Sequence, residues 1–152
     1  MGNFVHLHVH TEYSILDGAT KIAVAAKKAK ALGMPALAIT DHGNMYGAVN
    51  FFDACEKEGI KAIIGTEFYV CDDLTYKNGK SKLNHLVLLC KNEEGYKNIS
   101  LLNAIAFRDG FYYKPRIDLK TLEAHHDGLI CLSACLAGEI PRAITARQFD
   151  EA

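Results

Sequence analysis

The chain has 152 residues, 17 of them basic and 18 acidic, with 49% hydrophobic and 23% charged side chains. Those proportions suit one globular domain over residues 1–152 and exclude a disordered tail, a collagen-like repeat and a supercharged nucleic-acid clamp. No apolar run reaches the roughly 18 residues a membrane span requires, and residues 1–4 lack the parts of a signal peptide, so a cytoplasmic chain without membrane contact is expected.

Residues 4–10 read as a first strand, and Thr20 as the cap of a helix over 21–32 with Ile22, Ala25, Ala29 and Leu32 at helical spacing. The lysines at 21, 27, 28 and 30 form its wet face. Residues 36–40 are apolar on both faces, as in a buried parallel strand, and lead into Asp41-His42-Gly43. A helix over 46–58 follows, its inward stripe Ala48, Phe51, Phe52 and Cys55, stopped by Gly59. Residues 61–70 read as a third strand. The polar loop 72–82, with Asn78-Gly79 as a turn signal and solvated Lys77, Lys80 and Lys82, then returns the chain as a hairpin strand over 85–90.

Asn92 starts a helix whose buried face is Tyr96, Ile99, Leu102 and Ala106, and Asp118 caps a shorter one carrying Leu119 and Leu122. Residues 128–134 form another strand apolar on both faces, and 139–148 open a last helix. Strands alternating with helices give an α/β class. The count is too small for a closed barrel, which takes about 200 residues or more, so a truncated domain is expected.

The five cysteines contain no CxxC pair, which argues against a disulfide framework or a zinc ribbon. The seven histidines are the compositional feature that points to chemistry. In His6-Leu7-His8-Val9-His10 alternation sends all three imidazoles to one face. A lone histidine on a strand is more often a satisfied core residue, but a triplet alternating with apolar residues points to metal. His6, deepest in the strand, reads as structural, and His8 and His10 as ligands.

The end of the second strand supplies Asp41 and His42, at the edge where α/β folds bind ligands, although Asp-His-Gly also serves as plain turn chemistry. Glu67 stands in an apolar strand, where a carboxylate is costly without a positive partner. Asp17 comes from the same edge, with a helix-start role as its alternative. His85 returns beside Glu67 if the hairpin forms. Cys135 ends the late strand and would suit zinc as a thiolate, though a single cysteine beside Ala and Leu is more often packing. In Phe111-Tyr112-Tyr113-Lys114-Pro115-Arg116 basic and aromatic side chains can hold a nucleic-acid strand, against a slightly stronger reading as an interface or core-lid segment of the barrel.

The runs FVHLHVHTEYSILDGA, GMPALAITDHGNMYGAV, GTEFYV, NHLVLL, GYKN, GFYYKPRID and LICLSACLAGEIPRAI resemble the PHP domain (polymerase and histidinol phosphatase type) found at the N-terminus of bacterial DNA polymerase III α subunits. The resemblance implies a distorted (β/α)7 barrel, here its N-terminal part, with up to three Zn²⁺ or Mn²⁺ ions at the carboxyl ends of the strands. It implies His8, His10, Asp17, His42, Glu67, His85 and Cys135 as metal ligands; the family's later Asp-x-His pair is absent. Asp41 is then the candidate catalytic group, orienting a ligand histidine or accepting a proton from water. Polymerase chemistry, with its Mg²⁺, would lie outside this chain. The implied partners are a DNA 3′ end, the polymerase domains and replisome subunits such as a sliding clamp. The implied role is a metal-dependent 3′-5′ exonuclease. A metal-stabilised scaffold docking the polymerase core or a proofreading subunit, and a free PHP phosphatase, are the alternatives.

Overall fold

The computed structural model describes residues 4–78 and 82–152. The expected Asn78-Gly79 turn and Lys80 fall on or beside the interval 79–81, which lies outside the described residues. Five strands, β1 (Ala36–Ile39), β2 (Lys61–Cys71), β3 (Asn84–Cys90), β4 (Arg116–Asp118) and β5 (Leu129–Leu132), form one open sheet. The helices are α1 (Ile22–Ala31), α2 (Ala48–Glu58), α3 (Glu93–Arg108), α4 (Leu119–Ala124) and α5 (Glu139–Thr145), followed by a 3-10 turn over Phe149–Glu151. The expected α/β class with an unclosed barrel is the observed architecture.

Strand β2 is the axis. One edge is taken by β1 in parallel, then by a bridge to His42, then by β4 in parallel; the other edge pairs with β3 antiparallel. β5 adds antiparallel to β3 and so runs parallel to β2. The hairpin expected from the polar loop therefore interrupts the parallel pattern, while the ends of β1, β2 and β5 and the start of β3 still share one rim.

Alternation divides the sheet's side chains. Leu37, Ile39, Phe68, Val70 and Leu88 pack outward against α1, α2 and α3, whereas Ala38, Ile63, Val87, Leu89 and Leu132 meet on the inner face. Glu67 continues the inner register of Ile63, two residues at a time, towards the rim. Burying each large aliphatic or aromatic side chain in these layers contributes about 1.5–3 kcal/mol, which is what holds the rim in place.

Several sequence expectations are corrected. Residues 4–10 are extended but not a regular strand: Ala38 N–H donates to His6 O and Thr40 N–H to Val9 O, so three residues on one side oppose two on β1. That extra residue bulges the ladder, and the Thr40 hydroxyl closes it on Val9. His6 is exposed rather than deep, with its ring against Phe4. Thr20 bridges to Thr11 instead of capping, and Lys21 occupies the cap of α1 without a side-chain bond. Leu32, Phe52 and Tyr96 are exposed; Ala26 and Gly95 are buried on α1 and α3. β5 is shorter than expected and half-open, because only one strand flanks it among the described residues.

The caps on α3 and α4 form as expected, through Asn92 accepting from Gly95 N–H and Asp118 from Thr121 N–H. β4 was not foreseen. It exists because Arg116 is buried, its guanidinium donating to the carbonyls of Gly110, Tyr76 and Leu74. A buried guanidinium with each of its three nitrogens bonded to a carbonyl does not reach a phosphate, which removes Arg116 from the nucleic-acid reading of its segment.

Candidate metal centre

The rim gathers ligand-type side chains from six stretches of the chain. Glu67, only 1% exposed, is the hub. Its Oε2 meets His8 Nε2 and lies 3.1 Å from His10 Nε2. Its Oε1 meets His85 Nδ1 and lies 3.6 Å from His42 Nδ1. Cys135 Sγ stands 3.5 Å from His85 Nδ1 and 4.0 Å from Glu67 Oε1. Asp17 Oδ2 is 3.0 Å from His42 Nε2 on the solvent side. All seven residues expected as ligands are thus brought together.

Two triads, His8–His10–Glu67 and His42–Glu67–His85, each present one donor atom per residue within 4.8 Å of one another, the geometry of two cation sites sharing a carboxylate. Burial by itself would raise the Glu67 carboxyl, but hydrogen bonds from His10, His8 and His85 outweigh it and hold the group well below the usual carboxylate range. His10 shows the reciprocal effect: burial lowers it, the bond and charge of Glu67 raise it, and the net direction is up.

The residues fit divalent ions on an observation independent of that crowding. His10 Nδ1 and His42 Nδ1 are buried with no hydrogen-bond partner. Such orphaned ring nitrogens are costly unless something accepts their lone pairs or protons. Imidazole and carboxylate donors gathered around one buried group are the donor types of a divalent-metal site.

Asp41 stands differently. Only 1% exposed, it accepts from Thr11 N–H at 2.6 Å, Thr11 Oγ1 at 2.7 Å and Ser14 Oγ at 2.7 Å. Ser14 Oγ in turn accepts from His42 N–H at 3.1 Å. The carboxylate therefore clamps the 11–20 loop, which carries Asp17, onto the end of β1. Thr11 and Ser14, absent from the sequence reading, are its partners; a Thr and a Ser near a histidine run carry no distinguishing signal alone.

Tyr69 was also missed. It lies two residues beyond Glu67 and directly across from His85, and its ring stacks on His42 with centroids 5.9 Å apart. The period of two from Glu67 was the signal that could have found it.

Residues 6–152 match the family described as the PHP domain. The chain belongs to the PHP domain family. It is 49% identical over 153 residues to the DNA polymerase III subunit alpha of Borreliella burgdorferi, covering 98% of this chain and 13% of that protein. It is 52% identical over 139 residues to the same subunit of Helicobacter pylori strain 26695, covering 90% of this chain and 11% of that one. The PHP domain described here thus spans about an eighth of the length of these relatives. Among solved structures, a Bifidobacterium adolescentis protein described as a candidate metal-dependent phosphoesterase aligns at TM-score 0.45 and 23% identity, covering 70% of this chain and 36% of that one. No helix among the described residues is long and apolar enough to cross a membrane.

Proposed function

We propose that this PHP domain is part of a replicative DNA polymerase III α subunit and hydrolyses phosphodiesters at a DNA 3′ end, releasing one nucleoside 5′-monophosphate per water consumed. The observation that carries the reading is the convergence of five ligand-type side chains, His8, His10, His42, His85 and Cys135, on one buried carboxylate, Glu67. Zn²⁺ or Mn²⁺, up to three ions in all, would acidify a water molecule and offset the charge growing on the leaving 3′ oxygen. His8, His10, His42 and His85 hold cations without cancelling their charge, Glu67 is shared between the two triads, and Asp17 and Cys135 complete the outer positions. Asp41 acts as a positioning residue that fixes the Asp17 loop and the His42 backbone. Nucleotide addition, with its Mg²⁺, belongs to other domains of the full-length chain. The partners are those domains, the DNA end and replisome subunits such as a sliding clamp, in the cytoplasm.

The test uses the full-length chain on single-stranded and 3′-mispaired DNA with Mn²⁺ or Zn²⁺. EDTA should abolish 3′ nucleotide release, and Asp17→Asn should lower it at least about tenfold while nucleotide incorporation changes little. A release rate unmoved by both Asp17→Asn and His10→Ala assigns the activity to another site and leaves this domain a metal-stabilised scaffold.

A further inference from the structure

A cavity of about 420 Å³ is lined by Asp17, His42 and His85 of the metal centre together with Tyr46, Phe107 and Lys114. We propose that this cavity seats the terminal nucleotide of a single DNA strand, with Lys114 holding a backbone phosphate and the Tyr46–Phe107 pair stacking on the base. This rests on the hydrolytic reading above and adds to it the residues that recognise the substrate.

Lys114 is half-buried and has no carboxylate partner among the described residues; its ammonium lies over the Tyr69 ring, 5.1 Å from the centroid. The rings of His10, His42 and Tyr69 form a continuous stack, at 4.0 and 5.9 Å between centroids, so the ammonium rests on the last ring of a column that begins inside the metal centre. An unpaired cation lining the same cavity as the cluster complements an anion spanning the two.

Its placement is built rather than incidental. Tyr113 adopts φ 58°, a strained conformation for a non-glycine residue, and its own ring is 82% exposed. The strain turns the backbone so that Tyr112 and Lys114 pair across it. Pro115 packs on Gly43, where a Cβ would come within 2.7 Å of the proline ring, and Arg116 is fastened by three carbonyls. Lys114 is thereby fixed relative to His42 by its neighbours on both sides.

The aromatic lining suits a base. Tyr46 is 65% exposed and Phe107 41% exposed, with ring centroids 6.4 Å apart and planes tilted by 41°. Aromatic faces open to solvent beside a phosphate-binding cation are the means by which single strands are held without sequence preference. A duplex end offers no unstacked base to such a wall.

The experiment uses the full-length chain and a single-stranded oligonucleotide ending in 5-iodo-2′-deoxyuridine, its last linkage a phosphorothioate to slow removal. After irradiation, adducts are mapped by peptide mass spectrometry. Adducts on Tyr46 or Phe107, reduced by Lys114→Met and restored by Lys114→Arg, are expected. In parallel, Lys114→Met should raise KM for unmodified single strands about tenfold with a smaller change in kcat, and should flatten the salt dependence of binding by about 0.7 in log–log slope, the loss of one phosphate contact. Adducts confined to other parts of the chain, or an adduct yield and KM indifferent to Lys114→Met, overturn the proposal. Crosslinking needs no turnover, so a chain that labels Tyr46 yet releases no nucleotide sinks the hydrolytic reading and upholds this one.

Discussion

The imidazoles of His10 and His42 lie flat on each other, centroids 4.0 Å apart and planes within 10°. The two rings share the carboxylates of the rim: His10 lies 3.1 Å from Glu67 Oε2, and His42 lies 3.0 Å from Asp17 Oδ2 and 3.6 Å from Glu67 Oε1. Neutral imidazoles are the state that binds metal, so an ion at the centre would displace the proton that Glu67 favours on His10.

Replacing His10 by Ala removes one donor from the first triad and the stacking partner of His42. Bound divalent metal per full-length chain, measured by elemental analysis after gel filtration, should fall by about one ion. An unchanged ratio would take His10 out of the centre.

In metal-free protein the Glu67–His10 pair sets a pH window. The folded-state pKa of Glu67 is depressed, so its contribution is present above the ordinary carboxylate value of 4.5 and is lost as pH falls through the lower folded value. The pKa of His10 is raised, so its contribution is fully present below 6.5 and is lost as pH rises through the higher folded value. Both are fully present between about pH 4.5 and 6.5. In EDTA, hydrogen exchange at β2 amides should therefore be slowest in that interval after correction for intrinsic rates, and Glu67→Gln should flatten the profile.

Asp41→Ala removes the acceptor for one amide and two hydroxyls in a buried setting, with an expected cost of about 3 kcal/mol locally. Exchange should accelerate over residues 11–20 before it does in β2 or β3. A uniform acceleration across the domain would show that Asp41 supports the whole sheet instead of the loop.

Gly43 has φ +60°, and a Cβ there meets Pro115 and Tyr69. Gly43→Ala should cost roughly 1–2 kcal/mol and, by moving Pro115, shift Lys114 as well. Asp118→Ala, which removes the cap of α4 and an acceptor for Leu74 N–H, should cost about 1 kcal/mol and leave metal content unaltered. Denaturant melts of the two variants followed by domain-local probes would separate them; equal effects on metal content would contradict the assignment.

The sequence made the two central βα units legible, because residues 36–39 are apolar throughout, residues 62–64 and 68–70 are apolar on either side of Glu67, and the helices carry their apolar residues at helical spacing. It did not reveal the bulge at residues 6–9, which depends on where β1 offers its amides. Nor could it show that Phe52 and Tyr96 fall outside the covered stripe: spacing defines a helix face, whereas the width buried depends on the sheet beneath. The seven residues that meet at the rim stood out from residue type, strand ends and family resemblance together. Arg116 misled for the opposite reason. Its neighbours are aromatic and basic, yet the carbonyls that absorb its charge come from residues 74, 76 and 110, which local pattern cannot bring near.

Strand β2 touches β1, the 41–43 segment and β4 on one edge and β3 on the other, and Glu67 stands midway along it. An ion shared at that carboxylate would tie together segments from His8 to Cys135, closing loops far longer than any hairpin in the sheet. Loop-closure entropy makes such long-range contacts late to form, so a chain emerging during synthesis would present histidines and carboxylate separately until the sheet has assembled. Metal capture then acts as a latch on a completed fold, and chelation would be felt first as a faster rate of opening, ahead of any change in the closed structure.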